Sequence, residues 1–201
     1  MSKTQFPTLP PQLTTPNFLH PLHISIKSAF LIPSLYIHRH KQPHMATIYD
    51  YKLNDLQGNP LDLSAYAGKK ILLVNTASAC GLTPQYAQLQ ELHETHNDKV
   101  QVVGLPCNDF GGQEPGTEKE IGTFCETHFS VSFPLTQKVV IKGDNISPIY
   151  SFLTKKELNG KEDSEVIWNF QKYLINEKGE LEAVFHPKTE VISEEFLKHL
   201  A

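Results

Sequence analysis

The sequence predicts an α/β fold in which a mixed central sheet is flanked by helices. Three observations carry this reading. Residues 70–75 form a continuous apolar run of the kind covered on both faces, a strand, helix and strand follow one another up to residue 105, and a hairpin signal with a short helix lies near the C-terminal end. At 201 residues the chain is long enough for one domain with a real core plus an appendage.

Taken in order, the appendage comes first. Residues 1–44 hold no Asp or Glu, four basic residues (Lys3, Lys27, Arg39 and Lys41) and seven of the fourteen prolines, a composition that reads as poorly ordered. The only methionines are Met1 and Met45, and the acid-free stretch ends at His44, which points to Met45 as the start of translation. The alternative is a targeting segment, weakened by Pro33 inside its apolar stretch and by the lack of a small-residue cleavage site. The folded part is therefore expected at 45–201. Cytoplasm is the expected compartment, with organellar targeting by 1–44 left open.

Within 45–201, turn signals at 54–60 follow Tyr49 to Leu53, and Lys70 to Asn75 is the first long strand. Thr83 as N-cap and Pro84 at the first helical position open a helix to about His96, with Tyr86, Leu89 and Leu92 or His93 on its apolar stripe. Val100 to Leu105 is the next strand. A strand, helix, strand unit is right-handed and parallel, and ligands gather at the carboxyl ends of such strands, which Cys80 and Cys107 both follow. Thr117 and Glu120 make a capping box for a helix to about His128, with Ile121, Phe124, Cys125 and His128 on its inner face. Lys138 to Lys142 reads as a strand, and Ser147-Pro148 starts a helix through Lys155. Trp168 to Ile175 and Glu180 to Phe185 flank the turn 176–179 as a hairpin, and Ser193 caps a last helix. A parallel unit followed by a hairpin and helix predicts a thioredoxin-like fold.

Composition excludes several functions. The balance of 18 basic against 22 acidic residues becomes 14 against 22 in residues 45–201, so that part carries about −8, which argues against nucleic acid. No run reaches the roughly 18 apolar residues of a membrane span. Cys80, Cys107 and Cys125 are odd in number and widely spaced, unlike a disulfide-stapled module or a zinc site. No metal or cofactor is expected. His93-Glu94-Thr95-His96 is one residue short of a zinc-protease motif, and the glycines of 111–116 lack the ending of a phosphate loop.

Cys80 is the most informative residue. It sits where a strand turns into a helix, and unpaired N–H groups with the positive helix end stabilise a thiolate there. The bland reading is a small buried hydrophobe.

Residues 75–86 (Asn-Thr-Ala-Ser-Ala-Cys-Gly-Leu-Thr-Pro-Gln-Tyr), residues 106–116 (Pro-Cys-Asn-Asp-Phe-Gly-Gly-Gln-Glu-Pro-Gly) and Trp168-Asn169-Phe170 resemble the three signatures of the glutathione peroxidases, in the right order, across about Tyr49 to Leu200. The resemblance implies a thioredoxin-like domain that reduces hydrogen peroxide and organic or lipid hydroperoxides with thiol electrons. It also implies a catalytic tetrad of Cys80, Gln113, Trp168 and Asn169. Amide and indole N–H groups suit this chemistry because they steady both a thiolate and a departing oxygen without bringing negative charge. Taken singly, Gln113 as a turn residue, Trp168 as a core aromatic and Asn169 as a strand-end hydrogen bonder are better readings. Their joint occurrence reverses that.

Attack by Cys80 leaves a sulfenic acid. In cysteine-type members of the family, a second cysteine in the helix after the Gly-Gln-Glu-Pro segment closes an internal disulfide that thioredoxin opens, and Cys125 matches that position. Cys107 receives no resolving role. Because a disulfide needs Cα atoms within about 7 Å and Cys125 lies on an apolar helical face, local unwinding around Gly122, Thr123 and Thr127 is expected after oxidation. Glutathione is commonly gripped by arginines, and Arg39, in the appendage, is the only one in the chain. This favours thioredoxin, with glutathione or a peroxide sensor relaying its disulfide to a partner as alternatives. Leu158 to Glu165 is too short for a subunit-joining insertion, so a monomer is expected. Asp109 and Leu105 depart from the family pattern, where glutamine and phenylalanine are usual.

Overall fold

The computed structural model describes residues 45–201, and the expectations for 1–44 lie outside the described residues. A 3-10 turn at Ile48–Asp50 leads into a small hairpin of β1 (Leu53–Asn54) and β2 (Pro60–Leu61), followed by a second 3-10 turn at Leu63–Tyr66. The main sheet then begins with β3 (Lys70–Thr76), α1 (Gln85–Thr95) and β4 (Val100–Pro106), and α2 (Glu118–Phe129) follows. Next come α3 (Pro148–Thr154), α4 (Lys156–Asn159), the hairpin of β5 (Lys172–Ile175) and β6 (Leu181–Phe185), and α5 (Glu194–Leu197). The strand order is β4-β3-β5-β6, parallel between β3 and β4 and antiparallel elsewhere.

Continuous apolarity in β3 and β4 is explained by cover on both faces. Ile71 and Leu73 join Tyr173, Phe152 and Leu153 in one core cluster, while Leu72 and Val74 join Leu174, Leu89 of α1 and Ile121 of α2 in another. Each such side chain contributes roughly 1.5–3 kcal/mol by leaving water. Gly104 of β4 is required by closeness: a Cβ there would lie 2.5 Å from Leu135 Cδ2. The capping box forms as expected, with Thr117 and Glu120 satisfying each other's backbone N–H groups.

Four expectations need correction. Lys138 to Lys142 is no strand. Beyond a bridge between Leu135 and Gly104, the Val139 N–H reaches the Pro106 carbonyl of β4 at 2.9 Å, but the Ile141 and Lys142 N–H groups are taken by the Asp109 carboxylate, so a side chain replaces a neighbouring strand. The hairpin strand starts at Lys172, because residues 168–170 form a turn in which Phe170 has φ 66°. Helix α1 starts at Gln85, since the Thr83 hydroxyl accepts the Cys80 N–H at 3.0 Å and donates to the Ala77 carbonyl at 2.9 Å, serving the preceding loop. His128 is exposed and stacks on Phe124, so the buried stripe of α2 is Ile121 and Cys125.

Candidate active site

Three loops converge at the carboxyl end of β3. The first, residues 77–83, carries Cys80, and its turn is closed by Thr83 as described above. The Cys80 sulfur accepts the Leu82 N–H at 3.3 Å, so a backbone donor faces it at the mouth of α1, and the residue is nearly buried. The second loop turns through Gly111 (φ 68°) and Gly112 (φ 65°), two successive left-handed positions that glycine adopts without strain. It delivers Gln113, whose carbonyl accepts the N–H of Ala79, the neighbour of Cys80, at 3.0 Å.

The third loop is the turn 168–170. Asn169 is fully buried and its Nδ2 donates to Gln113 Oε1 at 2.9 Å. That bond commits the carbonyl end of the Gln113 amide and leaves its Nε2 as a donor. Trp168 is 40% exposed, with its ring edge-on to Phe110 at 5.9 Å, so it is a rim residue and not a core aromatic. Gln113 and Asn169 are therefore directly joined. Ala79 ties Gln113 to the Cys80 loop, and Trp168 stands beside them in sequence.

Asn75 holds this third loop in place, and sequence reasoning missed it. From the end of β3 its Nδ2 donates to the Trp168 carbonyl at 3.1 Å, its Oδ1 accepts the Gln171 N–H at 3.0 Å, and its own carbonyl accepts the Phe170 N–H at 2.6 Å. These bonds fix Phe170 in a left-handed conformation that non-glycine residues rarely adopt. The available signal was a buried amide interrupting an otherwise apolar strand.

All three cysteines are free thiols and buried. Burial pushes the Cys107 thiol up to about 12, and its sulfur accepts the Asp109 N–H, which makes it a packing residue. Burial likewise pushes Cys125 up to about 11. Cys125 lies outside the Cys80, Gln113 and Asn169 group, on the inner face of α2 opposite Tyr86, although Cys80 and Cys125 belong to the same apolar cluster. A groove of about 900 Å³ between α2, the β1–β2 hairpin and residues 131–135 is lined in part by Cys125. Among the described residues no cluster of His, Cys, Asp and Glu could hold a metal ion, and no helix is long and apolar enough to cross a membrane.

This geometry can be set beside known proteins. The glutathione peroxidase family model matches residues 48–154, more than half of the chain. The chain belongs to the glutathione peroxidase family. Membership makes it a peroxidase, an oxidoreductase with a thioredoxin-like domain. It is 43% identical over 139 residues to the glutathione peroxidase-like peroxiredoxin gpx1 of Schizosaccharomyces pombe, covering 68% of this chain and 87% of that one. To the hydroperoxy fatty acid reductase gpx1 of a Synechocystis strain it is 46% identical over 143 residues, covering 67% and 83%. Among solved structures, T. cruzi GPX1 superposes with a TM-score of 0.61 at 28% identity, covering 77% of this chain and 94% of that one.

Proposed function

We propose that this peroxidase reduces hydrogen peroxide and organic or lipid hydroperoxides through the Cys80 thiolate, and that thioredoxin supplies the electrons. Cys80 attacks the terminal oxygen of the peroxide. The O–O bond breaks, the departing alkoxide or hydroxide leaves as alcohol or water once protonated, and Cys80 becomes a sulfenic acid. Gln113 Nε2 and the Trp168 indole N–H stabilise the thiolate and the departing oxygen, and Asn169 orients Gln113. The observation that carries this reading is the Asn169 to Gln113 bond together with the Gln113 to Ala79 bond, because they tie amide donors to the loop that bears the sulfur.

Cys125 then attacks the sulfenic sulfur, releasing water and closing a Cys80–Cys125 disulfide. Since Cys125 sits on a helix, α2 opens around it during this step. A dithiol reductant reaches the disulfide from the groove beside α2. Residues 45–201 contain no arginine with which to fork the carboxylates of glutathione, which supports thioredoxin. The short Leu158–Glu165 segment supports a monomer.

The deciding experiment is NADPH consumption with peroxide, run once with thioredoxin and its reductase and once with glutathione and its reductase. Continuous turnover with thioredoxin, lost in Cys80→Ser, is the expected result. Turnover with glutathione alone would overturn the reductant. A single stoichiometric oxidation without turnover would overturn the enzymatic cycle in favour of a sensor.

A further inference from the structure

Glu114 follows the amide that the peroxidase step uses, and no step derived above needs it. It is fully buried, the only acidic side chain among the described residues to be so, and its Oε2 has no hydrogen-bond partner. Carboxyl groups avoid burial and an orphaned buried oxygen is costly, so a residue kept there against that cost calls for a role.

What the carboxyl does hold is the loop of Cys80. Glu114 Oε1 accepts the Ser78 hydroxyl at 2.6 Å and, one position along, the Gln113 carbonyl accepts the Ala79 N–H at 3.0 Å. The pairs 78 with 114 and 79 with 113 run antiparallel, so the two loops meet in register immediately before Cys80. Glu114 is itself fixed from its own loop, because its N–H donates to Asn108 Oδ1 at 2.8 Å and so closes the turn through Gly111 and Gly112. The Ala79 bond is made by backbone alone and acts as a pivot: one hydrogen bond sets a separation, and a second is needed to set an orientation. Ser78 is half-buried, so its bond to Glu114 is partly shielded from competing water.

We propose that Ser78 and Glu114 are positioning residues for Gln113, a clamp that keeps the Gln113 amide turned toward the Cys80 sulfur. The clamp rests on the role of Gln113 proposed above. Asn169 takes Gln113 Oε1 at 2.9 Å and fixes the amide from the third loop, while the Ser78–Glu114 bond fixes the backbone that carries it to the first loop. Neither clamp residue touches the peroxide or passes a proton to it: the hydroxyl donates to the carboxyl and stays there. Loss of the contact leaves Cys80 and its Leu82 N–H donor in place and loosens the amide that meets the departing oxygen. The effect is therefore confined to O–O cleavage, and it is absent from reactions in which the thiolate attacks with no developing oxyanion to stabilise.

The test is the rate of Cys80 modification in the full chain with Cys125 replaced by serine, measured with hydrogen peroxide and, separately, with iodoacetamide, each at a pH where the rate has levelled off and Cys80 is fully ionised. Iodoacetamide needs the thiolate but no amide donor, because iodide leaves unaided. Ser78→Ala and Glu114→Leu should each slow the peroxide reaction about tenfold and leave alkylation within about twofold of the unchanged clamp. The double variant should fall within about twofold of either single one, and Ser78→Ala should add less than about twofold in a Gln113→Ala background, since no amide is left to position. An unchanged peroxide rate in either single variant overturns the clamp, as does an equal fall in both reactions, which marks a general structural role. A full further tenfold fall on top of Gln113→Ala overturns it as well. Gln113→Ala that oxidises at the rate of the unchanged site overturns the parent reading along with it.

Discussion

Asn75→Ala is the perturbation that bears most directly on how the site is held. The change deletes two hydrogen bonds, Asn75 Nδ2 to the Trp168 carbonyl and the Gln171 N–H to Asn75 Oδ1. Gln171 is nearly buried, so its orphaned N–H costs about 1–3 kcal/mol, while the carbonyl of the half-exposed Trp168 can reach water and costs about 0.5–1.5 kcal/mol. The Phe170 N–H to Asn75 carbonyl bond survives, because it is made by the backbone. A loss of about 1.5–4.5 kcal/mol of unfolding free energy is therefore expected in urea titrations, enough to lower the midpoint without changing the slope. The damage is local to the 168–171 turn, so Trp168 should become more open to acrylamide quenching in the folded protein. Turnover should fall tenfold or more, since about 1.4 kcal/mol of displacement of this turn is already a factor of ten. Wild-type stability and turnover in Asn75→Ala would refute the reasoning, as would a stability loss with unchanged turnover and quenching.

Three further outcomes follow from the packing and the buried charges. Gly104→Ala places a Cβ 2.5 Å from Leu135 Cδ2 and should cost about 1–3 kcal/mol in urea unfolding, while cost-free replacement would contradict the close approach of residues 133–135 to β4. Lys172 is buried and held at about 7, hydrogen-bonded to the Pro187 carbonyl, so the unfolded chain binds the extra proton above that pH. Stability should therefore rise by about 1–2 kcal/mol from pH 7 to 8.5, and then fall as unfolded thiols ionise while Cys107 and Cys125, held at about 12 and 11, do not. Thermal or urea unfolding of Lys172→Met should lose the rise and keep the fall. Finally, amide exchange should show residues 121–127 protected in the reduced protein and unprotected after disulfide closure, and equal protection in both forms would exclude opening of α2.

Much of the fold was legible because burial on two faces writes itself into β3 and β4 as unbroken apolar runs, and because Thr117 with Glu120 and Ser193 are strong start signals. Where side chains took over the work of backbone pairing, the pattern misled. Lys138 to Lys142 looks like a strand by composition, yet Asp109 claims the N–H groups of Ile141 and Lys142, and an aspartate distant in sequence cannot be foreseen from local alternation. The same limit applies to the 168–170 turn, which Asn75 dictates from β3. Of the site, Cys80, Gln113, Trp168 and Asn169 were visible as motif residues. The support given by Asn75 was not, because that residue reads locally as part of a strand and acquires meaning only when the 168–171 turn meets it. Gly122, read from sequence as a weak point of α2, has a second reason in the fold: Leu56 of the β1–β2 turn packs where a side chain would stand, with a Cβ there only 3.1 Å from Leu56 Cδ1.

The central claim is that amide and indole donors from two distant loops make the Cys80 sulfur react with peroxide. The direct measurement is the second-order rate of Cys80 oxidation by hydrogen peroxide in Gln113→Ala and Trp168→Phe, with Cys125 replaced by serine so that only the first step is seen. The account predicts a fall of about 10²-fold for Gln113→Ala and a smaller fall for Trp168→Phe, with the same number of titratable thiols. Oxidation at the wild-type rate in both variants would contradict it.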